Sequence, residues 1–316
     1  MHGIHHVTAV SGKIAVNAAF YTEVLGLRLV KKSVNQDDVK AYHLFYADKV
    51  GTPGTDMTFF DWPQTGQDKR GTDSIALTAF RVNGQEALEY WARRLDDYQV
   101  ERQEIDSFAG HDTLRFVDPE GQRLMLVDDG GAPYEGVIWD GSDVPAPYAL
   151  RGFYGVMLSV PRLDWIEPIL TDVLGLRREL RMPTPDSGDV TIYAMDEGGP
   201  GRELWVIEQR NETVARLGAG GVHHVAFRVA DDDQQHEWHE RLTKAGLPVS
   251  PVIDRFYFHS IYFRISNGIL FEIATDGPGF AADEEPEKLG EKLALPPFLE
   301  PYRDQIEANL KPIVVP

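Results

Sequence analysis

Two stretches of the chain show the hydrophobic spacing of an amphipathic helix and end in the same way. Each stretch follows a strand-like run, at 5–10 and at 156–160, and closes on the sequence Val-Leu-Gly-Leu-Arg at 24–28 and 173–177. A glycine directly after the last apolar residue ends a helix. The apolar positions that share one helical stripe are Val16, Ala19, Phe20 and Val24 in the first stretch, and Trp165, Ile166, Ile169 and Val173 in the second. The pattern therefore predicts two similar units, each opening with a strand and a helix.

A second pair of similar units lies between and after these. Residues 77–82 read Leu-Thr-Ala-Phe-Arg-Val and residues 224–229 read His-Val-Ala-Phe-Arg-Val. Helical spacing follows each run, through Leu88, Trp91 and Leu95 in one unit and through Trp238 and Leu242 in the other. Both units then end in a hairpin signal, Asp118 to Gly121 before the run 123–127 and Asn267-Gly268 before the run 269–273.

The chain is thus predicted to be an α+β protein made of four βαβββ units. The predicted units span residues 3–62, 71–130, 151–208 and 219–276. The first resembles the third and the second resembles the fourth, which indicates duplication of a two-unit ancestor. We expect an N-terminal half over 1–135 and a C-terminal half over 148–280, joined by the Gly- and Pro-rich stretch 131–147, and then a tail over 281–316 with a short helix at 302–310.

The amino-acid composition excludes several kinds of site and of binding partner. The 316 residues include no cysteine, which excludes disulfides, thiolate metal sites and a cysteine nucleophile. No run approaches the ~20 apolar residues of a membrane helix, and residues 1–6 lack the pattern of a secretion signal, so we expect a cytoplasmic protein. The net charge of −19 argues against nucleic acid or an anionic membrane as a partner. Nothing in the sequence decides whether the chain forms a homo-oligomer.

Three polar residues stand at equivalent places in the repeats. The first unit opens with His5-His6, the fourth opens with His223-His224, and the fourth ends on Phe271-Glu272-Ile273. Two imidazoles and one carboxylate, with other positions left for water or substrate, form the facial triad that suits Fe(II). The corresponding positions are Leu77 and Met125 in the second unit and Gly155 in the third. Because a buried carboxylate is costly unless it is paired or bound to a metal, we expect the polar set to bind a metal ion.

Strand alternation selects the second histidine of each pair as the ligand. If His224 points to the inside, its apolar neighbours Val225 and Phe227 point outward, beneath the covering helix. The same choice turns His6 and Glu272 inward. One metal ion held by His6, His224 and Glu272 requires the first and fourth units to form one incomplete β-barrel. The second and third units are then predicted to form another barrel, without metal.

The ordered motifs resemble the glyoxalase/bleomycin resistance/extradiol dioxygenase superfamily, also called vicinal oxygen chelate proteins, and within it the hydroquinone ring-cleaving dioxygenases. The resemblance runs through nearly the whole chain. It rests on the runs His5 to Thr8, Tyr42 to Asp48, Gly51 to Thr55, His223 to Phe227, Phe271 to Asp276 and Leu295 to Glu300.

The resemblance implies a non-haem Fe(II) dioxygenase that cleaves a hydroquinone-type or catechol-type aromatic with dioxygen. It implies Fe(II) on His6, His224 and Glu272, although the sequence does not distinguish Fe(II) from Mn(II) or another divalent metal. It also implies that Thr8, His223, Arg255 and Tyr262 line the substrate pocket, with His5 close behind. Alternation, by contrast, puts His5 and His223 on the opposite strand face.

Two other functions remain open at this level. One is a glyoxalase-like, metal-dependent isomerase or lyase, which commonly uses four protein ligands. The last strand of the first unit, Met57 to Phe60, offers no glutamate as a fourth ligand, which favours the three-ligand dioxygenase. The other is a non-catalytic resistance protein that binds an aromatic or quinone compound. His43 is interpreted as an ordinary strand residue.

Overall fold

The computed structural model describes residues 1–184 and 188–313 and shows a mixed α+β protein. The prediction of an α+β fold is confirmed: one branched sheet contains sixteen strands, and the described residues form four α-helices. Residues 185–187 of the predicted third unit and residues 314–316 of the predicted tail lie outside the described residues.

The first two quarters of the chain, here called modules 1 and 2, each contain four strands and one helix. Module 1 comprises β1 (Ile4–Ser11), α1 (Ile14–Ala19), which continues as a π-helical turn (Phe20–Val24), β2 (Arg28–Asn35), β3 (Asp38–Ala47) and β4 (Asp56–Asp61). Module 2 comprises β5 (Ser74–Val82), α2 (Gln85–Asp97), β6 (Asp106–Phe108), β7 (His111–Val117) and β8 (Arg123–Asp128).

Modules 3 and 4 repeat the arrangement, and a tail follows them. Module 3 comprises β9 (Phe153–Val160), β10 (Arg177–Thr184), β11 (Gly188–Ala194) and β12 (Glu203–Glu208). Module 4 comprises β13 (Val222–Val229), α3 (Asp232–Lys244), β14 (Ile253–Asp254), β15 (Phe258–Arg264) and β16 (Leu270–Pro278). The tail contains α4 (Arg303–Asn309).

The helix predicted in module 3 is wrong in its form. Residues Leu163–Trp165 form a 3₁₀ turn and Ile169–Val173 a π-helical turn, with no α-helix between them. Pro168 lies inside the predicted stripe, and a proline ring lacks the N–H and clashes with the carbonyl group four residues earlier. Trp165, placed on the buried stripe by its spacing, is accordingly 52% exposed.

Within every module the first strand pairs in parallel with the fourth, and the fourth pairs antiparallel with the third. Between modules, β1 pairs antiparallel with β13, and β5 pairs antiparallel with β9. Only one residue pair, Val222 with Ile75, joins β13 to β5. Module 1 is therefore hydrogen-bonded along its first strand to module 4, and module 2 to module 3.

The core has separate parts on the two faces of the sheet. The largest cluster packs beneath the helices and includes Phe80, Trp91, Phe227 and Phe271, all fully buried. A second cluster joins inward-facing side chains of modules 2 and 3, among them Leu77, Met125, Met157 and Trp205. Among the described helices, none has the length and apolar character needed to span a bilayer.

The tail packs against β2. The backbone N–H of Ala294 donates to the carbonyl of Lys32 over 2.8 Å, and Ser33 Oγ donates to the carbonyl of Ala294 over 2.7 Å. The fully buried Lys31 places its Nζ 2.7 Å from Asp283 Oδ1 and also pairs with Glu284. Tyr257 Oη donates to the other oxygen of Asp283 over 3.0 Å. A buried cation therefore joins β2 to the tail.

Candidate metal centre and adjoining cavity

Three buried side chains meet between modules 1 and 4. His6 lies on β1, His224 on β13 and Glu272 on β16, and their exposed fractions are 2%, 4% and 0%. These three strands are neighbours in the sheet, since β13 pairs with both of the others. The two Nε2 atoms lie 3.3 Å apart, and Glu272 Oε2 lies 3.2 Å from His6 Nε2 and 2.8 Å from His224 Nε2.

Strand register defines the equivalent positions in the other modules. In module 4, Glu272 lies opposite Ala226, two residues after His224. The positions that correspond to His224 and Glu272 are His6 and Thr58 in module 1, Leu77 and Met125 in module 2, and Gly155 and Trp205 in module 3. Modules 2 and 3 fill these positions with apolar packing, and a Cβ on Gly155 would lie only 3.1 Å from the Trp205 ring. At these equivalent positions of the described chain, polar side chains converge only between modules 1 and 4.

The separations within the cluster suit a metal ion bound on one face. Ligand atoms about 2.1 Å from a common ion would be about 3.0 Å apart at right angles and about 3.4 Å apart at tetrahedral angles. The observed distances of 2.8, 3.2 and 3.3 Å lie around the first value and below the second. Glu272 Oε2 has no hydrogen-bond partner among the described residues although it is fully buried. The three residues therefore fit a divalent cation.

The hydrogen bonds behind His6 assign its tautomer. His5 Nε2 lies 3.1 Å from the carbonyl oxygen of Thr275, which can only accept, so His5 Nε2 carries the proton. Burial lowers the pKa of His5 to about 3, so the ring is neutral and its Nδ1 is an acceptor. His6 Nδ1, 2.9 Å away, is then the donor, and His6 Nε2 presents a lone pair toward Glu272. This is the protonation state that a metal ligand needs.

The second pair repeats this contact. His223 Nδ1 lies 2.8 Å from His224 Nδ1, and burial lowers the pKa of His223 to about 3. A neutral His223 can accept a proton from His224 Nδ1, which leaves His224 Nε2 free. His5 and His223 therefore lie behind the two inner histidines and do not line the cavity in front of them. Strand alternation predicted this location for both residues, whereas the family resemblance placed His5 behind the pocket and His223 in its wall.

The electrostatics of the cluster favour a bound positive charge. Burial alone would raise the pKa of Glu272, but the two imidazoles hold it well below its usual range. Burial lowers the pKa of His224, and Glu272 offsets this only in part. For His6, burial is outweighed by the Glu272 carboxylate, and its pKa is raised. The carboxylate is thus ionised in a dry site, where a charge is stable only next to a cation.

A small cavity opens directly in front of the cluster. Its volume is about 50 Å³, room for roughly four water molecules. Its walls include the rings of Phe45, Phe60, Tyr257 and Phe258. Aromatic walls with a polar end are typical of a site for a small flat ligand.

Arg255 and Tyr262 supply the polar wall of the cavity beside His224. Arg255 Nε donates to Tyr262 Oη over 3.2 Å, and a second Arg255 nitrogen lies 3.3 Å from Asp37 Oδ2. Tyr262 lies opposite Glu272 in the pairing of β15 with β16. Burial and the Glu272 charge raise the pKa of Tyr262, so its hydroxyl stays protonated. Because it accepts from Arg255, its own proton is free to be donated into the cavity.

Three hydrogen-bonded side chains lie at the opposite wall of the cavity. Thr8 Oγ1 lies 2.9 Å from Thr58 Oγ1, which lies 2.8 Å from His43 Nε2. Burial, and then His6 and His224, lower the pKa of His43 well below its usual range, so the ring is neutral. Thr8 and His43 both line the cavity. The interpretation of His43 as an ordinary strand residue is therefore wrong: it belongs to the cavity wall.

Asp56 is a further buried group that the sequence did not reveal. It lies opposite His6 in the pairing of β1 with β4 and is 1% exposed, and neither carboxylate oxygen has a hydrogen-bond partner among the described residues. Burial, only partly offset by His6, raises its pKa from 3.8 to about 7. Ionisation of Asp56 therefore destabilises the folded protein.

Replacing Asp56 with Asn should stabilise the metal-free protein, and more so at high pH. Because the folded-state pKa lies above the unfolded value, wild-type stability falls as pH rises between about 4 and 7. Asp56→Asn removes that loss, which is on the order of a few kcal/mol. Urea denaturation of both proteins at about pH 5 and about pH 8 measures the difference. An equal difference at the two pH values would contradict the assignment, and the exposed Asp38→Asn is the control.

The structure brings together most of the residues that the sequence predicted for this site. His6, His224 and Glu272 converge, and Thr8, Arg255 and Tyr262 line the cavity, while His5 and His223 lie behind it. The residues that the sequence did not predict are His43 and Asp56. His43 shares one face of β3 with Phe45, and both residues line the cavity.

Known proteins match this chain over its whole length. It is 45% identical to MhqA, a candidate ring-cleaving dioxygenase of Bacillus subtilis (strain 168), over 99% of each chain. It is 31% identical to the chlorohydroquinone/hydroquinone 1,2-dioxygenase of Sphingobium indicum, over 100% of this chain and 98% of that protein. The crystal structure of a candidate dioxygenase from Bacillus subtilis superposes with a TM-score of 0.87 at 39% identity, covering 99% of this chain and 98% of the other.

The family model agrees with these relatives. It matches residues 3–126 and 152–276, which are the regions that hold modules 1 and 2 and modules 3 and 4. Both stretches carry the repeated strand order described above. The chain belongs to the glyoxalase/bleomycin resistance protein/dioxygenase superfamily.

Proposed function

We propose that this protein is an Fe(II)-dependent, extradiol-type ring-cleaving dioxygenase that acts on a hydroquinone-type or catechol-type aromatic. The observation that carries the proposal is the buried cluster of His6, His224 and Glu272, with an unpartnered carboxylate oxygen facing two imidazole nitrogens. The names of the relatives MhqA and chlorohydroquinone/hydroquinone 1,2-dioxygenase point to the same reaction class.

The proposal includes the architecture around the metal. We propose that modules 1 and 4 form an incomplete barrel around the ion and that modules 2 and 3 form a second, metal-free one. The pairing of β1 with β13 and of β5 with β9 supports this. The halves over 1–135 and 148–280 and a cytoplasmic location belong to the same proposal.

A bound Fe(II) ion would supply the one-electron chemistry by which a phenolic ring reacts with dioxygen, which no side chain supplies. Two imidazoles and one carboxylate leave other coordination positions for the reactants. His5 and His223 orient the two histidines through the Nδ1 contacts of 2.9 and 2.8 Å. Such partners fix the ring orientation and the tautomer of a ligand.

The cavity walls would bind and orient the aromatic ring. Phe45, Phe60 and Phe258 offer apolar surface against which a single aromatic ring would pack. Tyr262 Oη would donate to a substrate oxygen, and Arg255 would hold that hydroxyl in place over the 3.2 Å contact. Thr8 would be oriented from the other side by Thr58 and His43.

Strand register argues against the glyoxalase-like alternative. Thr58 occupies the position in module 1 that Glu272 occupies in module 4, so a fourth carboxylate ligand is absent there. Thr58 is already engaged with Thr8 and His43. A non-catalytic aromatic-binding protein would have no need of an ionised, dry carboxylate beside two buried imidazoles.

Oxygen uptake tests the proposal. The purified protein is reconstituted under anaerobic conditions with Fe(II), Mn(II) or Zn(II), and oxygen consumption is followed with hydroquinone, catechol and, as a control, anisole. We expect consumption with Fe(II) and a dihydroxy ring, together with a ring-opened product. Tight binding of the aromatic without oxygen uptake under any metal would indicate a sequestering protein, and isomerisation of a glutathione hemithioacetal would indicate a glyoxalase; either result would overturn the proposal.

Tyr262→Phe should lower kcat by a factor of about 10² to 10³, because it removes one aligned hydrogen-bond donor. Metal content should stay unchanged, since the hydroxyl is not among the three converging ligand atoms. The matched control is Tyr257→Phe: its ring also lines the cavity, but its hydroxyl donates to Asp283 in the tail. Equal losses of kcat in the two variants would show that Tyr262 acts only through packing.

A further inference from the structure

A second cavity lies behind the candidate metal centre, at the junction of modules 2 and 4. Its volume is about 160 Å³, room for roughly a dozen water molecules. It is bounded by the start of β13, the end of β15, the start of β8 and the segment 68–76. His223, whose Nδ1 contacts His224, forms part of its wall. The cavity in front of the metal cluster shares no residue with it.

Three arginines converge on this second cavity from three different segments. Arg70 donates to the carbonyl of Gly121 over 3.1 Å, and Arg264 donates to the carbonyl of Gly268 over 2.6 Å. Arg123, at the start of β8, completes the set. None of the three forms an ion pair within 4.0 Å with a described acidic residue, although the chain has 50 carboxylates and only 31 basic residues.

The arginines repel one another. Burial and then the Arg70 charge lower the pKa of Arg123. Two carboxylates, Asp68 and Asp73, also line the cavity and offset part of the positive charge. The Asp68 charge acts on the pKa of Arg123 against burial and Arg70. Burial raises the pKa of Asp68, and Asp73 accepts a hydrogen bond of 3.1 Å from Asn267. Three guanidinium groups against two carboxylates leave an excess positive charge in a protein whose net charge is −19.

A buried amide lies behind the cavity wall. Gln122 is 2% exposed, and neither its Nε2 nor its Oε1 has a hydrogen-bond partner among the described residues. Water does not reach either atom, so the donors open to the cavity come from the arginines.

We propose that this cavity is a binding site for a small oxyanion, a carboxylate or a phosphate, held by Arg70, Arg123 and Arg264. Arginine binds both kinds of oxyanion with paired, charge-assisted hydrogen bonds. A bound oxyanion would therefore explain why these three arginines form no ion pair with a described acidic residue. The volume admits a short organic acid as well as inorganic phosphate. The proposal is independent of the reaction at the metal centre.

Isothermal titration with the full-length protein tests the proposal and distinguishes the two sources of oxyanion. The probes are inorganic phosphate, succinate and the uncharged succinamide. We expect binding of phosphate, succinate or both, and none of succinamide. Arg123→Gln should weaken the binding about 10- to 100-fold through loss of a charge-assisted pair. The control Arg210→Gln removes an exposed arginine that pairs with Glu208 and should leave the affinity unchanged.

Two further variants test the proposal at exposed positions, where a substitution should not disturb folding. Arg70 and Arg264 are exposed, so Arg70→Gln and Arg264→Gln should fold normally and should each weaken anion binding. The proposal is overturned if neither phosphate nor succinate binds at millimolar concentration. It is equally overturned if succinamide binds as well as succinate, or if all three arginine variants keep the wild-type affinity.

Discussion

Glu272→Gln is expected to lower the affinity for Fe(II) by a factor of about 10 to 100 or more and to abolish turnover. The substitution keeps the size of the side chain but removes the one negative charge among the three converging groups. The amide also places an N–H₂ group where lone pairs now converge on one point. Metal analysis after dialysis measures the first effect, and oxygen uptake with a dihydroxy aromatic measures the second.

The control for this experiment is the same change at Glu203, a half-buried glutamate outside the cluster. Glu203 in module 3 accepts a 2.7 Å hydrogen bond from Trp205 Nε1, which an amide oxygen can also accept. Glu203→Gln should therefore keep both iron and activity. A Glu272→Gln protein with full iron occupancy and wild-type turnover would show that the three residues do not hold the metal.

Lys31→Met is expected to destabilise the protein by about 3 to 5 kcal/mol, the usual effect of removing one partner from a buried ion pair. Lys31 is fully buried between Asp283 and Glu284, and its Nζ lies 4.7 Å from the centre of the Tyr257 ring. Without the cation, two carboxylates of the tail face each other with little access to water. Urea denaturation gives the loss of stability, and limited proteolysis shows whether the tail detaches first.

A compensated variant separates charge from packing. In the triple variant Lys31→Met, Asp283→Asn and Glu284→Gln, no charge remains at the junction, and replacing a whole buried ion cluster is often close to neutral. We expect most of the lost stability to return. If the triple variant is as unstable as the single one, the lysine acts through the shape of its side chain and the charge argument is wrong.

The metal cluster could be predicted from the sequence because its ligands lie on strands with a clear inward and outward face. Val225 and Phe227 after His224, and Phe271 and Ile273 beside Glu272, are apolar residues of the other face, and the repeats supply apolar counterparts for comparison. His43 was not predicted, because β3 reads as a nearly continuous buried run from Ala41 to Ala47, in which alternation is hidden. Asp56 follows a glycine-rich loop, and the sequence alone gives no sign of its burial.

Two other features of the structure could not be predicted from the local sequence pattern. The apolar spacing in module 3 predicted an α-helix, but Pro168 interrupts it. Hydrophobic spacing by itself does not take the unfavourable effect of a proline inside a helix into account. The arginine-lined cavity brings together Arg70, Arg123 and Arg264 from segments far apart in the chain. Their convergence depends on how module 2 docks on module 4, and the single residue pair between β5 and β13 leaves no sequence signature.

The contact between Gly155 and Trp205 constrains how this chain could change. A side chain at 155 would meet the carbonyl of Glu203 at 3.0 Å and the indole at 3.1 Å. Leu77→His alone should therefore bind no metal, because Met125 and Gly155 offer no further donor and the indole fills the space. A second catalytic centre would require several simultaneous substitutions, each unfavourable by itself. At the positions equivalent to the metal ligands, selection on modules 2 and 3 is therefore expected to act through packing.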